Sequence, residues 1–255
     1  MTTSPPVLEV VRDAAAVAHA AADEIQELIT GRPAAVLALP TGRTPLPLYA
    51  ELRRRYQAGH IDFGQVQTFN LDEWVGLGPD HAGSYARFMR EQLFSHVNLR
   101  PENCHLPNGL APDLAAECAA YEELIQRAGG FGLAVLGIGR NGHIGFNEPG
   151  TPFDSRTHVA LVTEETREAN RWSFPPGVDP PDRAITVGIA TLLEAERILL
   201  LVTGAEKAAA LERALRGPVD PLVPASALQL HPRVRVIADA AAAHHLDADA
   251  RTRGG

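Results

Sequence analysis

The run GIGRNGHIGFNEPG, Gly137 to Gly150, places a histidine and a glutamate five residues apart behind closely spaced glycines. An apolar stretch, Leu133 to Leu136, leads into it, so a strand breaks into a loop whose backbone can come close to a small ligand. His143 is the acid–base group suited to neutral pH, with an unperturbed pKa near ~6.5. Glu148 is near enough along the loop to fold back onto one ring nitrogen, which fixes the tautomer and leaves the other nitrogen free to move a proton. In isolation the motif reads equally as a glycine turn with a surface histidine. Its weight comes from what other parts of the chain bring to the same place.

Three further turns carry chemistry. The apolar run Ala34 to Leu39 ends in PTGRTP and is followed by helical spacing from Leu46 to Tyr56. Thr41, Gly42, Arg43 and Thr44 thus lie between a strand and a helix that opens on proline. Free N–H groups, two hydroxyls and the helix dipole converge there on one anion. The spacing matches neither a P-loop nor a dinucleotide fingerprint, so the anion expected is a monophosphate. Val66 to Asn70 reads as a strand that stops at Asp72 and Glu73, where a carboxylate would face the same crevice. A capping Asp beside a solvated Glu is the plainer reading of that pair. Thr203 to Lys207 again turns from strand into helix and delivers a lysine. Cys104, Cys118, His81, His96 and His105 are scattered and are given no chemistry.

Elements that must position these residues follow from the pattern. Helices are expected over Asp13 to Thr30, Ser84 to Val97, Asp113 to Ala128 and Thr163 to Arg171, and strands at Thr157 to Val162, Ala184 to Gly188, Arg197 to Val202 and Arg233 to Ala238. Ser226 to Leu230 and Arg233 to Ala238 are read as closing the sheet. Phe174 to Pro181 is dense in proline, so about 162–183 reads as a lid, and the polar tail 244–255 as flexible. The fold class is α/β: a single domain over 1–255 with an open, mainly parallel sheet, helices on both faces, Rossmann-like in a modified doubly wound form. In such a sheet the strand ends share one edge, and ligands bind there.

Composition narrows the function. At 255 residues and 45% hydrophobic content the chain can bury one large core. A net charge of −8 argues against nucleic acid or an anionic membrane as partner. No apolar stretch reaches transmembrane length and no export leader is expected, while two cysteines offer neither a disulfide framework nor metal-ligand spacing. A cytoplasmic protein acting on a small-molecule sugar phosphate, with no metal, is the expectation.

With LPTGRTP, TFNLDEWVGL, GIGRNGHIGFNEPG, SRTH and AITVGIATLL in the order seen here, the chain resembles the glucosamine-6-phosphate deaminase family, over roughly Val7 to Ala240. The resemblance implies isomerisation and deamination of glucosamine 6-phosphate to fructose 6-phosphate and ammonia, in amino-sugar catabolism and without a cofactor. It implies Asp72 as the base that moves the C2 proton, His143 as the group that opens the pyranose ring, and Glu148 as its orienter. Thr41, Gly42, Arg43, Thr44, Gly139 and Lys207 fall on the substrate and phosphate pocket.

Departures accompany it. Asn141 stands where some family members carry an aspartate against the histidine. Trp172 stands about where a phosphate arginine is found, which leaves Arg171 as its expected substitute. Thr151, His158, Ala160 and Leu161 lack the cationic set of activated members, so no allosteric anion site is expected. A 6-phosphogluconolactonase-like hydrolase, a galactosamine-6-phosphate isomerase and a non-catalytic sugar-phosphate sensor stay open as alternatives, as does a homo-oligomer.

Overall fold

The structure, a computed structural model, describes residues 5–252. In chain order the elements are β1 (Val7–Val11), α1 (Ala14–Gly31), β2 (Val36–Leu39), α2 (Leu46–Gln57), β3 (Gln67–Asn70), β4 (Asp72–Trp74), α3 (Tyr85–Gln92), β5 (Cys104–His105), α4 (Leu114–Arg127), β6 (Leu133–Gly137), β7 (His158–Leu161), α5 (Glu164–Asn170), β8 (Arg183–Thr186), α6 (Ile189–Leu193), β9 (Ile198–Val202), α7 (Ala208–Arg216), β10 (Val234–Asp239) and α8 (Ala240–Thr252).

Seven strands form one sheet in the order β1-β10-β9-β6-β2-β3-β5, with every pairing parallel. Its central strands β2 and β9 read VLAL and ILLLV and are buried at every position. Continuous apolar runs are what a strand covered on both faces requires. Alternate residues serve the two faces: Leu37, Leu39, Leu199 and Leu201 pack under α1, α2 and α3, while Ala38, Ile198 and Leu200 pack under α4, α6, α7 and α8.

A second, three-stranded antiparallel sheet, β4-β8-β7, was not expected. The chain leaves β3 at Asn70, spends Leu71 at the junction and enters β4 at Asp72, which pairs with Thr186. Leu71 joins the two sheets, since its N–H donates to the Leu39 carbonyl (3.4 Å) and its carbonyl accepts from Val187 (2.7 Å). Trp74, Tyr85, Phe146, Ala160, Val162, Phe174 and Ala184 form a separate small core beneath this sheet.

Three sequence expectations change. The strand at Ala184 to Gly188 belongs to the small sheet rather than the main one. Ser226 to Leu230 lies in a 3-10 helix, Pro224–Leu230, so of the two segments expected to close the sheet only the strand joins it, as β10 between β1 and β9. The tail from 244 is helical as far as Thr252, within α8, and 253–255 lie outside the described residues. Among the described residues no helix is long and apolar enough to cross a membrane.

Candidate active site

The turns after β2, β6 and β9 meet at the carboxyl edge of the main sheet and, with Asp72, line one cavity of about 290 Å³. That is the size of a small-molecule site. After β2 the chain reverses through Gly42, whose φ of +101° suits only glycine. Helix α2 then starts behind Pro45 with no side chain capping its first turn. Leu46 N–H donates to the Arg43 carbonyl and Pro47 has none, so the donors open to a ligand are the N–H groups of Gly42, Arg43 and Thr44 in the turn itself, which bond to nothing among the described residues. The Pro40 carbonyl accepts from the buried Tyr49 hydroxyl, which anchors the turn to α2. Thr41, Gly42, Arg43 and Thr44 all line the cavity.

Lys207 reaches the same cavity from behind Gly204, whose φ is +95° and whose N–H is held by the Asp239 carboxylate at 3.1 and 3.2 Å. Burial lowers the Lys207 pKa; Glu206 opposes this, Arg140 adds to it, and Glu165 opposes it. Nothing among the described residues pairs with its ammonium. A half-buried, unpaired cation beside the open amides of this turn is a place for an anion.

His143 is held by a chain of polar groups. Asn141 donates through Nδ2 to Glu148 Oε2 at 2.7 Å, and its Oδ1 lies 2.8 Å from His143 Nδ1. A carboxylate only accepts, so the amide oxygen must face the ring, and Nδ1 carries the proton. Nε2 is left with its lone pair, and no hydrogen bond to it is made among the described residues. Glu148 itself is 3.7 Å from Nδ1, so it orients the ring chiefly through Asn141 rather than by the direct bond expected. Burial pulls the His143 pKa down to about 4, against the opposing charge of Glu148, with Lys207 pulling the same way as burial. Gly139 makes room for the ring: a Cβ there would lie 2.2 Å from His143 Nδ1.

Asp72 is 6% exposed, and its Oδ1 is buried with no hydrogen-bond partner. Burial, with the neighbouring Glu73 charge, raises its pKa to about 8. Glu73, by contrast, turns away to cap α3, accepting from Ser84 Oγ (2.8 Å), Ala86 N (3.0 Å) and Tyr85 N (3.1 Å). The adjacent pair is therefore split, and Glu73, not Asp72, joins Ser84 in capping the helix.

Arg171 is not brought to the cavity. It sits on the far side of its turn in ion pairs with Glu168 (2.7 Å) and Asp179. Trp172 lines the cavity instead, with the Arg43 guanidinium 5.1 Å from its ring centroid. Sequence reasoning also missed Thr163 and Thr166. Thr163 caps α5 by accepting from Thr166 N (3.3 Å) and donates to Glu148 Oε1 (3.2 Å), while Thr166 Oγ1 lies 3.3 Å from His143 Nδ1. The signal was present as a Thr before two glutamates at a helix start, but its contact with the histidine is tertiary.

Residues 11–237 match the family model for glucosamine-6-phosphate isomerases/6-phosphogluconolactonase. The glucosamine-6-phosphate deaminase of Hahella chejuensis is 49% identical over 232 residues, 91% of this chain and 88% of its own. Glucosamine-6-phosphate deaminase 2 of Bacillus subtilis is 51% identical over 226 residues, 87% of this chain and 90% of its own. Among solved structures, a monomeric glucosamine-6-phosphate deaminase superposes with a TM-score of 0.91 at 43% identity, covering 93% of this chain and 99% of that one. A 6-phosphogluconolactonase from Trypanosoma cruzi shares the fold at a TM-score of 0.77 and 20% identity, covering 96% of this chain and 98% of its own.

Proposed function

Because the chain belongs to the glucosamine-6-phosphate isomerase/6-phosphogluconolactonase family, we propose that it is a glucosamine-6-phosphate deaminase, converting its substrate with one water to fructose 6-phosphate and ammonia. The observation that carries the reading is a buried, unpartnered carboxyl, Asp72, in one cavity with a histidine whose Nε2 is free. The C2 proton of an aldose becomes acidic only when the ring is open, so the reaction needs two proton-moving groups with different tasks.

His143 Nε2 takes the proton of the O1 hydroxyl and returns it to the ring oxygen as the C1–O5 bond breaks, leaving the aldehyde. A histidine kept neutral by burial has the lone pair ready for this. Asp72 then takes the C2 proton, and protonation at C1 completes the aldose-to-ketose shift. The resulting C2 imine is hydrolysed by water to the ketone and ammonia. An Asp72 carboxyl with a raised pKa needs a positive neighbour to ionise, and the substrate's own ammonium at C2 supplies one. Thr41, Gly42, Arg43, Thr44 and Lys207 hold the phosphate, Asn141 and Glu148 hold the histidine, and Gly139 seats its ring. The steps use side chains and water and call for no cofactor.

Residues 162–183 act as the lid, contributing Glu165, Thr166, Ala169, Asn170 and Trp172 to the cavity wall. A phosphorylated substrate does not cross a bilayer unaided, which supports a cytoplasmic place in amino-sugar catabolism. The test incubates purified protein with glucosamine 6-phosphate, galactosamine 6-phosphate and 6-phosphogluconolactone. Ammonia and fructose 6-phosphate from the first are expected. Lactone hydrolysis without ammonia release would reverse the assignment.

A further inference from the structure

We propose that Trp172 is a positioning residue for phosphate: it holds Arg43 by the face of the guanidinium so that the edge meets the anion, joining the lid to the phosphate turn as one clamp. The inference rests on the reading above in taking the ligand to be a phosphorylated sugar.

Arg43 differs from many arginines of the chain in having a ring rather than a carboxylate beside it. Arg32, Arg54, Arg55, Arg156 and Arg171 are each engaged by carboxylates. The Arg43 guanidinium has no carboxylate partner among the described residues, although it is exposed at the rim of an acidic molecule. What it has is the Trp172 ring, at 5.1 Å. Both side chains line the cavity together with Thr41, Thr44 and Lys207.

Guanidinium chemistry allows the two contacts at once. The flat face stacks on an indole, while the five N–H donors lie in the plane and remain free for a phosphate. Stacking also restricts a long side chain that would otherwise lose its rotamer freedom on binding. Trp172 reaches Arg43 from the lid, two residues past the end of α5. The other end of α5 is fixed to the catalytic group, through Thr166 on His143 and Thr163 on Glu148. Arg171, next to Trp172, is committed to Glu168 and Asp179, so the lid brings an aromatic surface and no free cation of its own. Phosphate seated on Arg43 therefore fixes one end of a segment whose other end touches the ring-opening histidine.

The test is a double-mutant cycle at positions 43 and 172, read by calorimetric titration with inorganic phosphate and by KM for glucosamine 6-phosphate. Trp172→Ala is expected to weaken phosphate binding and raise KM about fivefold, with most of the loss in KM rather than kcat. Trp172→Phe retains a π face and recovers most of the loss. In the Arg43→Lys background, which keeps the charge and loses the planar face, Trp172→Ala costs less than about twofold. An equal penalty in both backgrounds, or a loss confined to kcat, overturns the clamp. Should Trp172→Ala not fold, Trp172→Leu closes the same cycle. The phosphate titration does not depend on turnover, so absence of ammonia release would defeat the functional reading while the clamp is still decided by calorimetry.

Discussion

Burial keeps the Asp72 proton in place to about pH 8 in the folded chain, whereas the unfolded carboxyl releases it near its ordinary value of 3.8. Between these limits the folded state binds the extra proton, so stability at this position falls as pH rises. Asp72→Asn has no proton to lose. Its Tm relative to wild type is expected to improve steadily from about pH 4 to about pH 8 and to level off above that; a difference independent of pH would refute the assignment of the buried charge. The same variant should lose on the order of 10²–10⁴ in rate, and with it the uptake of solvent deuterium into product. His143 runs the other way. The unfolded imidazole takes a proton below about 6.5 while the folded one stays neutral down to about 4, so its stabilising effect is complete above the first value and lost as pH falls toward the second. Asn141 lies between the ring and Glu148, bonded to both. Asn141→Asp cannot donate to Glu148 and places two carboxylates beside the ring, so the His143 pKa should rise and the acid limb of the kcat/KM profile should move to higher pH. An unmoved limb would mean that the amide does no more than fill space.

Among elements, α5 has the most to lose from one atom. Thr163 Oγ1 both caps the helix and reaches Glu148, and the helix is only seven residues long. Thr163→Val should cost about 1 kcal/mol of local stability, as losing a cap typically does, and speed amide exchange over 164–170 while lowering kcat. Thr163→Ser should restore both. If exchange quickens and kcat holds, the lid helix and the histidine are not coupled. The elements that the sequence disclosed are those whose own composition determines their environment. Ala34 to Leu39, Leu133 to Leu136 and Ile198 to Val202 are apolar throughout, and only a strand covered on both faces accommodates that. β4 was hidden because Asp-Glu-Trp has no apolar rhythm and its partner, β8, lies more than a hundred residues away. Likewise the turning of Glu73 into the α3 cap, and of Arg171 toward Asp179, depends on contacts across loops that local spacing does not encode. The candidate site was legible at the residues that open each turn, and not in the groups that hold those residues still.

At the level of the whole molecule the expectation concerns regulation. An anionic activator needs unpaired positive charge away from the cavity. Over Thr151 to Leu161 the one arginine, Arg156, is already bound to Glu194 and lies 3.9 Å from Glu122, and His158 Nδ1 rests 2.8 Å from the Arg156 carbonyl. The rate is therefore expected to be hyperbolic in glucosamine 6-phosphate and insensitive to N-acetylglucosamine 6-phosphate as activator. Initial-rate curves with and without that compound decide it, and a sigmoidal curve made hyperbolic by its addition would contradict the expectation.

The lid has a further property that comes from where its two ends are rooted. β7 and β8 are neighbours in the small sheet, with Leu161 opposite Arg183, so the whole segment between them is one long hairpin loop closed at its base. Its ends therefore stay adjacent whatever its length. Doubling such a loop adds only about 0.6 kcal/mol of closure entropy, and neither the strand register nor the seat of Asp72, paired with Thr186 on the same strand, has to change. The exchangeable part of the lid is the stretch beyond Phe174, since Thr163, Thr166 and Phe174 tie the rest to Glu148, to His143 and to the small core: one lineage could recast that stretch, trading one substrate's outline for another's, while inheriting the base and the histidine untouched.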